Sequence, residues 1–189
     1  MRELSNFIIS SLILFLSLSA SINAQNIKSL TKESKIIIEG TSSLHDWHSD
    51  VNQVSGSAQV SVEDNKVTSV ESLSLTFVVK SIESGKGAMN KNIFKALKED
   101  KNPNILFTST STTVDAKGVV TAKGNLTIAG ATKEVTLTAN SSVSGNNVTF
   151  EGKTTFKMTE YSVEPPTAMF GTITTGDEVT IVYSAVFGN

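Results

Sequence analysis

The stretch from Asn125 to Ala139, NLTIAGATKEVTLTA, constrains the fold more than any other part of the chain. Leu126 and Ile128 lead into a short turn, Gly130-Ala131-Thr132-Lys133, and Val135 and Leu137 lead out of it. Apolar residues therefore recur at every second position on both sides of a glycine-bearing turn, which predicts a β-hairpin. Asn125, Thr127, Glu134, Thr136 and Thr138 fill the other face. Strand side chains point alternately to opposite sides, so one face of this hairpin meets water and the other lines an interior. What that interior holds decides the function.

The same alternation recurs along the chain. Ile36 and Ile38 mark a first strand, Ala58, Val60 and Val62 a second, and Leu73, Leu75, Phe77 and Val79 a third, with Asp64-Asn65-Lys66 as the turn between the last two. Ile105 and Phe107 begin a fourth strand that ends at Asp115-Ala116-Lys117-Gly118. Val120, Ala122, Leu126 and Ile128 form a fifth, and the second arm of the hairpin is the sixth. Val148, Phe150, Phe156 and Met158 make a seventh, and Val179, Ile181, Tyr183, Ala185 and Phe187 an eighth. The expectation is an all-β protein, an eight-stranded antiparallel up-and-down barrel. Closure removes the sheet edges, and eight staves leave an interior that either fills with side chains or holds one small ligand.

Two segments interrupt the meander. Between Gly87 and Lys101, Met89, Ile93 and Leu97 recur every fourth residue with Phe94 beside them, a short amphipathic helix near residues 88–99 that stops at Asn102-Pro103. It can plug the barrel core or act as a lid. The second interruption, Tyr161 to Gly176, carries Pro165-Pro166 and then Ala168, Met169 and Phe170, a loop long enough to suggest a role of its own.

Residues 1–24 read as a secretory leader: Met1-Arg2, an apolar run from Phe7 to Leu18, and a small residue, Ala24, before the predicted cut. The run is shorter than the ~20 residues that span a bilayer. Residues 25–33 then form a lead-in and 34–189 the barrel domain, in the periplasm or outside the cell. The chain has no cysteine, so it must fold by burial alone, and thiol chemistry is excluded. Sixteen basic and eighteen acidic side chains are spread without blocks, which gives nucleic acid no reason to bind and predicts no polybasic cluster to hold an anionic membrane surface. After leader removal no membrane-spanning segment is expected.

By alternation the inward positions are almost all Ala, Val, Leu, Ile, Phe or Met, with Gly152, Thr154 and Tyr183 as departures and no carboxylate, lysine or histidine. Such a lining cannot supply acid-base or nucleophilic groups, so no catalytic residue is expected. It can take hydrocarbon out of water at roughly 25 cal/mol per Å². Ala58, Ala122, Gly124, Ala139, Gly152 and Ala185 are small enough to leave room along the axis. Periodicity alone leaves a solid core and a tunnel equally open.

The hairpin, with the strand start Pro103-Asn104-Ile105-Leu106-Phe107 and the segment Gly171 to Val179, resembles the YceI-like family of lipocalin-like, polyisoprenoid-binding secreted proteins, over Ser34 to Phe187. The resemblance implies a tunnel that carries or sequesters a polyprenyl lipid, isoprenoid quinone or fatty chain. Alternation combined with it assigns the lining to Leu75, Phe77, Phe107, Leu126, Ile128, Leu137, Phe156, Met158 and Tyr183. Phe94, Leu97, Met169 and Phe170 are then the expected gate. No other cofactor is implied.

One cluster suggests chemistry instead. Both histidines lie in Leu44-His45-Asp46-Trp47-His48. Residues three apart on a strand face opposite ways, so the rings converge only in a turn, and zinc wants three or four ligands. A metal-dependent or hydrolytic enzyme using His45 and His48 is therefore the weaker rival, and a solid structural or stress protein is the other. Trp47, the only tryptophan, suits a barrel rim, and an apolar rim leaves a homodimer open.

Overall fold

The computed structural model describes residues 26–188, so the leader expected over 1–24 lies outside the described residues. The strands are β1 (Asn26–Leu30), β2 (Lys35–Ser42), β3 (Trp47–Val51), β4 (Val54–Glu63), β5 (Lys66–Val78), β6 (Ile82–Glu83), β7 (Asn104–Val114), β8 (Val119–Ile128), β9 (Ala131–Ser144), β10 (Asn147–Lys157), β11 (Thr167–Ala168) and β12 (Ile173–Gly188). The helix α1 spans Gly87–Ala96. Strand β1 pairs with both β4 and β12, so the path β1-β4-β5-β7-β8-β9-β10-β12 closes into a ring of eight. Every pairing in it is antiparallel, the up-and-down barrel the alternation predicts.

Three further strands extend staves of the ring. β2 lies on the same edge of β12 as β1, with Lys35 opposite Ser184 and Leu30 opposite Phe187. The break between them is stitched by Thr31 N–H to the Val186 carbonyl (2.7 Å) and by Val186 N–H to Ser34 Oγ (2.9 Å). β3 pairs with β2 as β4 pairs with β1, and β6 pairs with β3 as β5 pairs with β4. The first three staves are thus long strands bent at residues 31–34, 52–53 and 79–81.

Residues 26–30, expected only as a lead-in, are half of the first stave. Their alternation runs against the usual pattern: Ile27 is 69% exposed, whereas Lys28 is buried and its Nζ donates to the Asn146 carbonyl at 2.6 Å. That reversal conceals the strand from a reading based on apolar periodicity. The central hairpin turn is also tighter than expected. Ile128 pairs with Ala131 across Ala129-Gly130, both at positive φ (50° and 87°), so Ala131 to Lys133 belong to β9. Asp64-Asn65 makes the same two-residue turn with φ of 48° and 59°. Positive φ at both central residues gives a twist that matches the flanking strands.

Because the staves alternate in direction, their connections fall at two unlike ends. One end has only the tight turns at 64–65, 115–118 and 145–146 and is packed shut by Ala58, Val60, Val67, Val148, Phe150 and Phe187. Phe150 and Phe187 meet edge to face there, with ring centroids 5.7 Å apart. The other end carries the turn 43–46, the link 84–103 with α1, and the link 158–172 with β11. Outside, hydroxyls pair across strands, as Thr127 with Thr132 and Thr155 with Thr180, each at 2.8 Å. Among the described residues no helix is long and apolar enough to cross a membrane.

Candidate functional site

Between the two ends lies a cavity of about 510 Å³. Strand register lets its wall be read in rows. Nearest the open end, Phe156, Val179, Gly40 and Trp47 are successive partners across β10, β12, β2 and β3. The next row is Thr154, Ile181, Ile38 and Ser49, and below it come Gly152, Tyr183 and Ile36. Leu75, Phe107 and Leu126 form a row of the opposite wall. Apart from the two glycines, Gly40 and Gly152, these residues all line the cavity with their side chains, because inward positions on paired strands share a face.

Two glycines let aromatic rings lie flat on that wall. A Cβ at Gly40 would overlap the Trp47 ring, whose Nε1–H donates to the Thr41 carbonyl at 2.9 Å. Trp47 is thus held at the rim, as its amphipathic ring predicts. A Cβ at Gly152 would overlap the Thr138 carbonyl and the Tyr183 hydroxyl, which itself donates to that carbonyl at 3.0 Å. Burial pushes the Tyr183 phenol above its ordinary pKa, so it stays a neutral donor at physiological pH.

Over the open end, Met89, Ile93 and Leu97 of the α1 stripe all face the cavity. Space remains beneath the helix, so α1 covers the cavity and does not plug the barrel. Beside it Tyr161 is 1% exposed and packs edge to face on Phe156, centroids 5.2 Å apart. Burial first, and then the Glu160 carboxylate, push its phenol up. Thr159 fixes this corner: its N–H and Oγ1–H donate to the Asp177 carboxylate at 2.9 and 2.7 Å, which holds that carboxyl below its ordinary pKa.

The structure brings all nine expected lining residues to the cavity: Leu75, Phe77, Phe107, Leu126, Ile128, Leu137, Phe156, Met158 and Tyr183. The expected gate does not assemble. Leu97 lines the cavity, but Phe94 packs sideways against the Ile36, Val51, Val79 and Ile82 cluster. Met169 and Phe170 are turned out into water, 69% and 111% exposed. Both sit at positive φ, 49° and 56°, and this backbone turn carries their side chains outward.

The lining is also not free of ionisable groups. Lys86 and His45 reach it, both at the exposed mouth. His45 Nδ1 lies 2.7 Å from the Asp46 carbonyl, and His48, opposite Glu39 on β3, faces outward. The two rings therefore do not share a face. Among the described residues no three His, Asp or Glu side chains gather to hold a metal ion. Sequence reasoning also misses Ser49: its hydroxyl is buried in the apolar wall with no hydrogen-bond partner. A serine looks like an outward residue, but alternation with Trp47 and Val51 and pairing with Ile38 put it on the inner face.

A barrel of this shape is known. No curated protein sequence matches the chain, but solved structures do. It superposes on BcnA of Burkholderia cenocepacia with a TM-score of 0.67 at 23% identity, covering 82% of this chain and 96% of that one. A polyisoprenoid-binding domain from Saccharophagus degradans, implicated in plant cell wall breakdown, gives a TM-score of 0.63 at 13% identity, covering 86% and 97%. The YceI protein of Campylobacter jejuni gives 0.59 at 16% identity, covering 75% and 83%. At these identities the superpositions establish the fold. The sequence model of the YceI-like domain matches residues 28–187, nearly the whole described barrel with its buried Lys28 and closing Phe187, and the chain belongs to the YceI-like family.

Proposed function

We propose that the chain carries or sequesters a long apolar molecule, a polyprenyl lipid, isoprenoid quinone or fatty chain, inside its barrel. Binding is by desolvation, with no covalent step. We place the protein in the periplasm or outside the cell, after removal of a leader ending at Ala24. The observation that carries the reading is the cavity itself: about 510 Å³, within the usual range for small-molecule sites, walled by Leu, Ile, Val and Phe and shut at one end. An apolar cavity of this kind stays dry and gains dispersion contacts only when apolar matter fills it. Family membership supports the coarse lipid-binding role, and the Saccharophagus domain is described as polyisoprenoid-binding.

The test is mass analysis of solvent extracts from protein purified without detergent. A stoichiometric prenyl or acyl lipid is expected. Absence of any co-purifying lipid, together with no uptake of added polyprenol or quinone, overturns the reading.

A further inference from the structure

We propose that the apolar rim formed by Leu44, Met169 and Phe170 is a membrane-docking surface. It seats the mouth of the barrel on a phospholipid bilayer, so that ligand passes between bilayer and cavity without crossing water. The inference rests on the carrier reading above and adds where the ligand is exchanged.

Leu44, Met169 and Phe170 are three of the six large apolar side chains exposed among the described residues. Ile27 and Val62 lie toward the closed end and Leu106 on the outer wall. The three at the mouth come from segments distant in sequence that are tied into one platform. Ser43 N–H donates to the Thr174 carbonyl at 2.9 Å, and Thr174 N–H donates to Ser43 Oγ at 3.1 Å. β11 pairs with β12 directly behind the Met169-Phe170 tip, Thr167 opposite Thr174 and Ala168 opposite Ile173. The platform runs straight into the cavity: Leu44, Ala168 and Ile173 all line it. Apolar surface is thus continuous from the outward tip to the interior.

The tip itself is presented against the ordinary preference of its residues. Met169 and Phe170 are bulky, and both take left-handed backbone conformations that aim them at solvent. Exposed apolar patches of this kind mark interaction sites. Three side chains on convex tips offer at most on the order of 500 Å², short of the ~800 Å² per partner that a stable protein interface buries. A bilayer sets no such threshold, because side chains inserted at the acyl boundary are solvated by lipid tails. Against the even spread read from the sequence, the link 84–103 beside the mouth gathers Lys86, Lys91, Lys95, Lys98 and Lys101 against Glu99 and Asp100, a local basic excess that complements anionic headgroups. Lys86 stands at the mouth, and Lys98 Nζ reaches across to the Ser162 carbonyl at 3.5 Å.

The experiment follows transfer of an anthroyloxy-labelled fatty acid from the protein to vesicles of phosphatidylethanolamine and phosphatidylglycerol. Docking predicts a transfer rate that rises in proportion to vesicle concentration. The double variant Met169→Ser, Phe170→Ser slows transfer about tenfold or more, and Ile27→Ser leaves it unchanged. Affinity for the probe without vesicles stays at the starting value in both variants, because none of these residues lines the cavity. A rate independent of vesicle concentration, or one the double variant does not slow, overturns the proposal. So does a rim-mediated dimer that Phe170→Ser dissociates while the protein fails to float with vesicles. If the protein binds no probe at all, the carrier reading fails separately, and flotation of the protein with the vesicles then decides docking alone.

Discussion

At the scale of single residues, the wall is set by a few side chains that depart from the apolar pattern. Ser49 is the clearest: its hydroxyl has left water and gained no hydrogen bond. An unpaired buried polar group costs about 1–3 kcal/mol, so Ser49→Ala is expected to stabilise the protein by about 1 kcal/mol. For a chain of this size that is a rise in Tm of roughly 2–4 °C, checked by calorimetry. The opposite sign holds at Gly152, where a methyl group meets the Thr138 carbonyl, and backbone gives way less easily than a side chain. Gly152→Ala is expected to destabilise by about 1–3 kcal/mol, as overpacking does. Because it also displaces the Tyr183 ring into the cavity, quinone uptake falls with stability, whereas Ser49→Ala raises stability without reducing uptake. Thermal melts and uptake measured on the same two variants check both claims.

At the scale of elements, the two long links shape the mouth, and one is clamped by a single exposed carboxylate. Asp177 on β12 holds Thr159 at the start of the 158–172 link by two hydrogen bonds. Its pKa in the folded protein is lowered, so the stability it contributes is complete above the ordinary aspartate pKa of about 4 and is lost as pH falls through the lower folded value. The Thr159 amide is therefore expected to be protected from hydrogen exchange at pH 6, to keep that protection at the ordinary aspartate pKa and to lose it only as pH falls through the lower folded value, and Asp177→Asn removes that difference. The elements were unequally legible in the sequence. Eight staves followed from period-two apolar patterning, and the nine lining residues, all of which border the cavity, from that alternation combined with the family resemblance. The stripe of α1 was equally plain, because Met89, Ile93 and Leu97 are spaced for one helix face. The first half-stave was not, since Ile27 faces out and Lys28 in. Nor was the outward turn of Met169 and Phe170, because two left-handed residues in succession leave no signal in a pair of bulky apolar side chains.

At the scale of the whole molecule, closure by β1 explains why one barrel can be rigid at one end and hollow toward the other. The Phe150–Phe187 contact, the tight turns and the β1 pairings confine the packed core to the closed end. Above it the hydrogen-bonded ring surrounds the cavity. In a filled core an enlarged side chain costs about 1–3 kcal/mol, because its neighbours cannot move away. Leu126 and Phe77 face the cavity, so Leu126→Phe and Phe77→Trp have space to enter. Each is expected to cost less than ~1 kcal/mol, and each takes volume from the ligand. Ligand that binds only the folded barrel stabilises it by RT ln(1 + [L]/Kd), about 2.7 kcal/mol at a hundredfold excess over Kd. The starting protein should therefore melt several degrees higher with ubiquinone or polyprenol added, and the two enlarged variants should melt near its ligand-free temperature with or without it. A loss of 1–3 kcal/mol in the ligand-free variants would mean that the interior is filled, and the carrier would lose the space on which it depends.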